Sequence, residues 1–213
     1  VQGAEVLLVT PSADFFAEPH VESLIGYGKV FHAAGISWTL SSKASEAGNF
    51  GMFIGNYEQL RKIALRIREA ALELGVKRIV VGECGHAWRV AYSFWNTLVG
   101  VGAGGKAPFA IELQNQLDHR YKQPMHICEF THDLIGRGAL KLIKAVANNF
   151  HDMAPGTTHE ATFCCGGGGG LLTDDLLELR VKGALPRMEA LKQVADQHGV
   201  NFMATICAIC KAQ

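Results

Sequence analysis

No apolar run in the chain approaches the roughly 18–20 residues that a bilayer-spanning helix needs, so the sequence alone gives no reason to expect a membrane-crossing helix. Net charge is absent as well: twenty basic and twenty acidic residues cancel, and no basic stretch stands out, which speaks against a nucleic-acid partner. The chain opens Val1-Gln2-Gly3-Ala4, with neither a methionine nor a charged-then-apolar leader. No secretory signal is expected from that start, and both ends read as cuts within a longer polypeptide. Six cysteines in 213 residues are too few for a disulfide-held secreted scaffold, which is shorter and denser in cysteine. What the chain does have is a 48% hydrophobic composition, enough to bury a sizeable core and to exclude disorder. Metal-binding thiols in a reducing compartment are the better reading of the cysteines.

Apolar runs at residues 5–10, 36–40 and 78–82 read as buried strands, and 19–34 and 58–74 as helices. Leu60, Ile63, Ala64, Ile67 and Ala71 supply an apolar face to the second helix, and Gly75 suits its C-terminal stop. A similar plan recurs later: strands at 124–128, 161–163 and 201–206, helices at 134–150 and 185–198. Residues 72–86 also resemble 195–207 with one residue of slippage. The expected fold is therefore α/β, two tandem Rossmann-like units (residues 1–100 and 101–213) with parallel sheets flanked by helices. Ligand crevices of such sheets open just past the carboxyl ends of the strands. Cys84, Cys128, Cys164, Cys165 and Cys207 all follow expected strands, so one convergent site between the units is predicted.

Five of the six cysteines form the pattern Cys128, Cys164-Cys165, Cys207-Ala208-Ile209-Cys210. Thiolates are soft ligands for iron–sulfur centres, zinc or copper(I), and five are one too many for tetrahedral zinc or an ordinary cubane cluster. Adjacent residues on extended backbone point opposite ways, so Cys164 and Cys165 can serve one centre only if the chain turns sharply there. The glycines Gly166 to Gly170 provide that freedom. Other motifs carry less. Gly100-Val101-Gly102-Ala103-Gly104-Gly105 matches a dinucleotide fingerprint in letters but follows an apparent helix, so neither NAD nor flavin is expected. Trp88, Tyr92, Phe94 and Trp95 lie at near-helical spacing and read as core or subunit contact. His126 and His132 flank Cys128 as candidate donors to cluster sulfur, with core or capping roles as the default. His20 and the remaining histidines carry no signal in the pattern.

The cysteine spacing resembles the CCG domain, Cys-x(n)-Cys-Cys-Gly-x(n)-Cys-x-x-Cys, of heterodisulfide reductase catalytic subunits and related iron–sulfur subunits. Cys128, Cys164, Cys165, Gly166, Cys207 and Cys210 match every position of the motif. The first half keeps the architecture without the ligands: Cys84 survives, followed by His86, whereas Ser12 or Ala13 and Glu46-Ala47-Gly48 stand where the other cysteines would be. One complete unit, one degenerate unit and the segment from Glu83 to Arg89 narrow the likeness to the catalytic subunits of sulfite-reductase-associated membrane complexes. The resemblance implies a single noncubane [4Fe-4S] cluster held by those five cysteines, which reduces a disulfide or trisulfide of a small DsrC-type carrier protein. It further implies electrons from quinol, a membrane cytochrome, other iron–sulfur subunits as partners, and a place in the cytoplasm or on the cytoplasmic face of the membrane. Cys84 and His86 are the catalytic candidates, Cys84 as a thiol exchanging with substrate, a sixth ligand or a relic, and His86 as a proton donor to the departing thiolate. Two rivals stay open. One is an iron–sulfur subunit that only relays charge; the other is a zinc-stabilised interaction module, which the spacings fit poorly.

Overall fold

In the computed structural model, the described residues are 1–11, 15, 18–48, 51–52, 54–95, 124–136, 149–158, 161–167, 174–205 and 210. Four short parallel strands set the frame: β1 (Val6–Val9), β2 (Trp38–Thr39), β3 (Arg78–Val81) and β4 (Met125–His126), in the order β2-β1-β3-β4. β1 pairs with β3 along its whole length, Val6 opposite Arg78 through Val9 opposite Val81. β2 and β4 each add only two paired residues at the edges. This is the expected α/β architecture, with helices α1 (Glu18–Ala33), α2 (Tyr57–Leu74), α3 (Gly85–Val90) and α4 (Ile127–Gly136) after the strands. A 3-10 turn, Ser42–Ala44, follows β2, and α3 continues as one π-helical turn, Ala91–Trp95. By contact density the chain divides into Val1–Leu140 and Lys141–Gln213. The sheet lies in the first of these and takes β4 from beyond residue 100.

β1 reads as an unbroken apolar run because both of its faces are covered, as parallel strands require. Side chains alternate between the faces. Leu7, Val9, Ile79 and Val81 pack with Leu60, Ala64, Ile67 and Ala71 of α2 and with Trp95, whose Nε1 donates to the Ala47 carbonyl at 3.0 Å. Val6, Leu8 and Val80 pack on the other face with Phe31 of α1 and Ile127, Phe130 and Leu134 of α4. Each fully buried Leu, Ile or Phe contributes roughly 1.5–3 kcal/mol, so the two small cores together anchor the sheet. Trp88 and Phe94 pack against the first core and Tyr92 is exposed, so most of the aromatic group is core.

α2 begins with Asn56 accepting the Gln59 N–H and ends at Gly75, in the left-handed region at φ +62°. Gly75 N–H donates to the Leu72 carbonyl and Val76 N–H to that of Ala71, the paired bonds of a Schellman stop.

The second unit is built on α5 (Leu177–His198), preceded by a 3-10 turn, Asp174–Leu176. α5 starts earlier than the expected 185 and carries Pro186 inside the helix. A small core of Ala154, Ala190 and Val194 packs beneath it. Of the strands expected at 161–163 and 201–206, residues 162–163 and 201–205 have no regular secondary structure and 161 is a single 3-10 residue. A strand exists only with a neighbour to accept its ladder bonds, and Phe163 and Phe202 here face solvent. Most of the expected helix 134–150 lies outside the described residues. Among the described residues no helix is long and apolar enough to cross a membrane.

Two glycine substitutions should move stability in opposite directions. Gly75→Ala forces a Cβ into the left-handed region and should cost about 1 kcal/mol. Gly26, inside α1 with open space where a Cβ would stand, should gain roughly 1 kcal/mol as alanine. Urea unfolding of the two variants checks both signs.

Candidate metal centre

Chemistry in the first unit gathers after β3 and β4, which are neighbours. The chain leaves β3 through Gly82 and Glu83, and Cys84 is the N-cap residue of α3 with extended backbone, φ −73° and ψ 110°. Cys84 is buried, and His86, in the first turn of α3, is half-buried. Cys128 was expected at the end of a strand running through 124–128. The strand instead stops at His126, and Cys128 is the second residue of α4. His126 causes this: its Nδ1 accepts the Cys128 N–H at 3.2 Å, capping the helix from the position just before it. That bond leaves the ring proton on Nε2. Burial pushes the His126 pKa down to about 4, so the imidazole stays neutral near pH 7. Its ring meets Trp88 of α3 edge to face at 5.5 Å, linking the helix that follows Cys84 to the residue that caps Cys128.

Two opposing effects act on the Cys128 thiol. The amino end of α4 favours a thiolate through the helix dipole. Burial and then the nearby charge of Glu83 oppose it and win, pushing the pKa up to about 11. A thiolate here therefore needs a cation to stabilise it, and metal binding must expel a proton.

Sequence reasoning used Glu83 only as part of a matching segment, with no role of its own, and set His20 aside. His20, in the first turn of α1, places Nδ1 2.9 Å from Oε1 of Glu83, and both side chains are almost wholly buried. No pattern in the sequence marks a contact between residues so far apart; only the pairing of β1 with β3 brings α1 to the end of β3.

In the second unit, Cys164 is exposed and Cys165 buried, and Gly166 follows them at φ +80°. Gly166 N–H reaches back to the Cys164 sulfur at 3.4 Å, the kind of N–H···S contact that steadies a cluster thiolate. A Cβ on Gly166 would lie 2.9 Å from the backbone of Gly183 in α5, so only glycine fits. Arg187 Nη1 donates to the Phe163 carbonyl at 2.9 Å and ties the other side of the turn to α5. The sharp turn expected at the cysteine pair is present. Cys210 is half-buried, and Cys207 lies outside the described residues. Among the described residues no three His, Cys, Asp or Glu side chains stand close enough to hold a metal ion. A cavity of about 590 Å³ in this unit is walled by Phe150, Met153, Leu191, Val194 and Phe202, and its described walls carry no cysteine. The donor set of thiols, the glycine-only turn and its N–H···S contact fit a thiolate-ligated iron–sulfur centre better than a hard-cation site.

Comparison with known proteins points the same way. The chain is 36% identical to the Hdr-like menaquinol oxidoreductase iron–sulfur subunit of Archaeoglobus profundus, over 261 aligned positions covering 99% of this chain and 46% of that protein. It is 34% identical to iron–sulfur subunit 2 of the Hdr-like menaquinol oxidoreductase of Archaeoglobus fulgidus, over 264 positions covering all of this chain and 47% of that protein. The chain thus spans about half the length of the curated relatives it matches. No protein-family model and no solved structure matches it.

Two measurements check this geometry in the metal-free protein. Alkylation of Cys128 should keep accelerating with pH up to about 11, whereas an ordinary thiol levels off above roughly 9; a plateau near pH 9 contradicts the buried, Glu83-facing site. Gly166→Ala should cost about 2 kcal/mol or more in thermal or urea unfolding, from backbone strain plus overpacking against Gly183.

Proposed function

We propose that the chain is a catalytic module of the heterodisulfide-reductase type, of the DsrK kind, which reduces a protein-borne disulfide or trisulfide. In this reading Cys128, Cys164, Cys165, Cys207 and Cys210 hold one noncubane [4Fe-4S] cluster. The observation that carries the reading is the turn Cys164-Cys165-Gly166. Its glycine-only backbone and N–H···S contact suit a cluster ligand pair and have no use in a plain core. The similarity to Hdr-like iron–sulfur subunits over the whole chain supports a redox role.

The net reaction is R–S–S–R′ plus two electrons and two protons giving two thiols. Bound at these cysteines, the cluster would supply electrons singly and offer iron to a substrate sulfur. The remaining work falls to the chain. The parallel sheet presents Cys84 and Cys128 at the ends of neighbouring strands, and burial keeps water from Cys84. In this reading Cys84 serves as the substrate-side thiol, and His86, two residues on, hands a proton to the departing sulfur. Electrons would come from a quinol such as menaquinol through a membrane cytochrome and other iron–sulfur subunits. A DsrC-like carrier would be the substrate, and the module would sit on the cytoplasmic face of the membrane. The relatives' description as iron–sulfur subunits of menaquinol oxidoreductases favours one second reading, a cluster that relays electrons without touching substrate.

Electron paramagnetic resonance of the oxidised, anaerobically prepared protein separates the two. A catalytic cluster changes its signal when a thiol is added, and Cys164→Ser or Cys165→Ser alters or abolishes that signal. A relay ignores the thiol. A signal untouched by either substitution removes the pair from the ligand set.

A further inference from the structure

A guanidinium stands beside the cysteine pair of the second unit. Arg187 Nη1 donates to the Phe163 carbonyl at 2.9 Å, while its Nε is buried and has no hydrogen-bond partner among the described residues. Phe163 immediately precedes Cys164 and Cys165. Across a trans peptide a carbonyl oxygen lies about 2.8 Å from the next Cα, so Nη1 stands within about 6 Å of the Cys164 Cα. Gly183, four residues earlier on the same face of α5, carries the backbone on which Gly166 rests. The helix that supports the turn therefore also brings it a side chain whose charge is permanent.

Holding a carbonyl does not call for a guanidinium. An amide or a hydroxyl makes the same bond, and neither leaves a buried N–H without an acceptor, which costs the full desolvation of that group. What Arg187 adds is positive charge and one donor still waiting for a partner. Thiolates need both. Five of them around a single cluster leave an excess of negative charge, and donors to sulfur offset it. The Gly166 N–H already reaches the Cys164 sulfur at 3.4 Å from the far end of the turn. We propose that Arg187 balances the charge of the Cys164–Cys165 thiolates: its guanidinium sets a positive field over the pair, and its Nε–H is held for a sulfur atom of the loaded site. This rests on the ligand set proposed above.

The field is read in the metal-free protein at one pH, from two reagents that attack the same thiolate. Iodoacetate is an anion and iodoacetamide is neutral, so the ratio of their rates at the exposed Cys164, followed by mass spectrometry, reports the local potential and cancels the thiolate fraction. At about 0.01 M salt this ratio should exceed that of a blocked, uncharged cysteine amide at least about twofold, and the excess should fade at about 1 M salt. Arg187→Gln, whose amide N–H can still reach the Phe163 carbonyl, should remove the excess. Arg187→Lys should keep it, with Cys128 as the internal control. In the iron-loaded protein, Arg187→Gln should raise the oxidised-to-reduced ratio of the cluster at fixed ambient potential at least about threefold, with iron content unchanged. That is a fall of about 28 mV for a one-electron couple. A wild-type Cys164 ratio equal to that of the free amide overturns the proposal, and this measurement needs no variant to fold. So does an excess that survives Arg187→Gln, or one that Arg187→Lys loses as fully, which would assign it to the fit of the turn and not to charge. An unmoved cluster ratio in loaded Arg187→Gln overturns it as well. If the wild-type protein takes up no cluster, the proposed function fails, and the Cys164 ratios still decide whether Arg187 sets the field.

Discussion

A strand covered by helices on both faces has only its ends left for chemistry, and β1 and β3 are in that position. Leu7 and Val9 face α2, while Val6 and Leu8 face α1 and α4. No polar side chain could be added along these strands without leaving a buried group unmatched. The functional candidates of the first unit accordingly follow the last strand residues: Glu83 and Cys84 after β3, Cys128 after β4. The same burial makes Cys128 a reluctant thiolate. A low-dielectric setting and a neighbouring carboxylate both oppose its ionisation, so the site favours a cationic occupant over a bare anion.

The second unit meets the same demand with different means. It offers no sheet among the described residues, and the cysteine pair is placed by a turn resting on α5. Backbone against backbone at Gly166 and Gly183 brings the turn closer than any side chain would allow. Arg187 fixes the carbonyl of Phe163 on the other side. Rigid placement of this kind matters for a thiolate site, where a ligand that wanders gives up its metal.

Much of this was legible in the chain. The runs at 5–10 and 78–82, the α2 face and the Gly75 stop were all found within a residue or two, because continuous burial and a left-handed cap leave local signatures. Cys128 was placed on a strand because 124–128 reads as a short apolar run; the cap from His126 is a side-chain event that periodicity does not report. The strands expected at 161–163 and 201–206 depended on partners that local pattern cannot supply. Arg68, fully buried on α2, and the His20–Glu83 contact were likewise invisible, being consequences of which strands lie side by side.

Whether these thiols gather iron decides the function of both units. Protein purified without oxygen and assayed for iron and acid-labile sulfide should contain about four of each per chain, and should be brown. Protein that comes out colourless, with a single zinc or with no metal at all, would contradict the cluster and every step built on it.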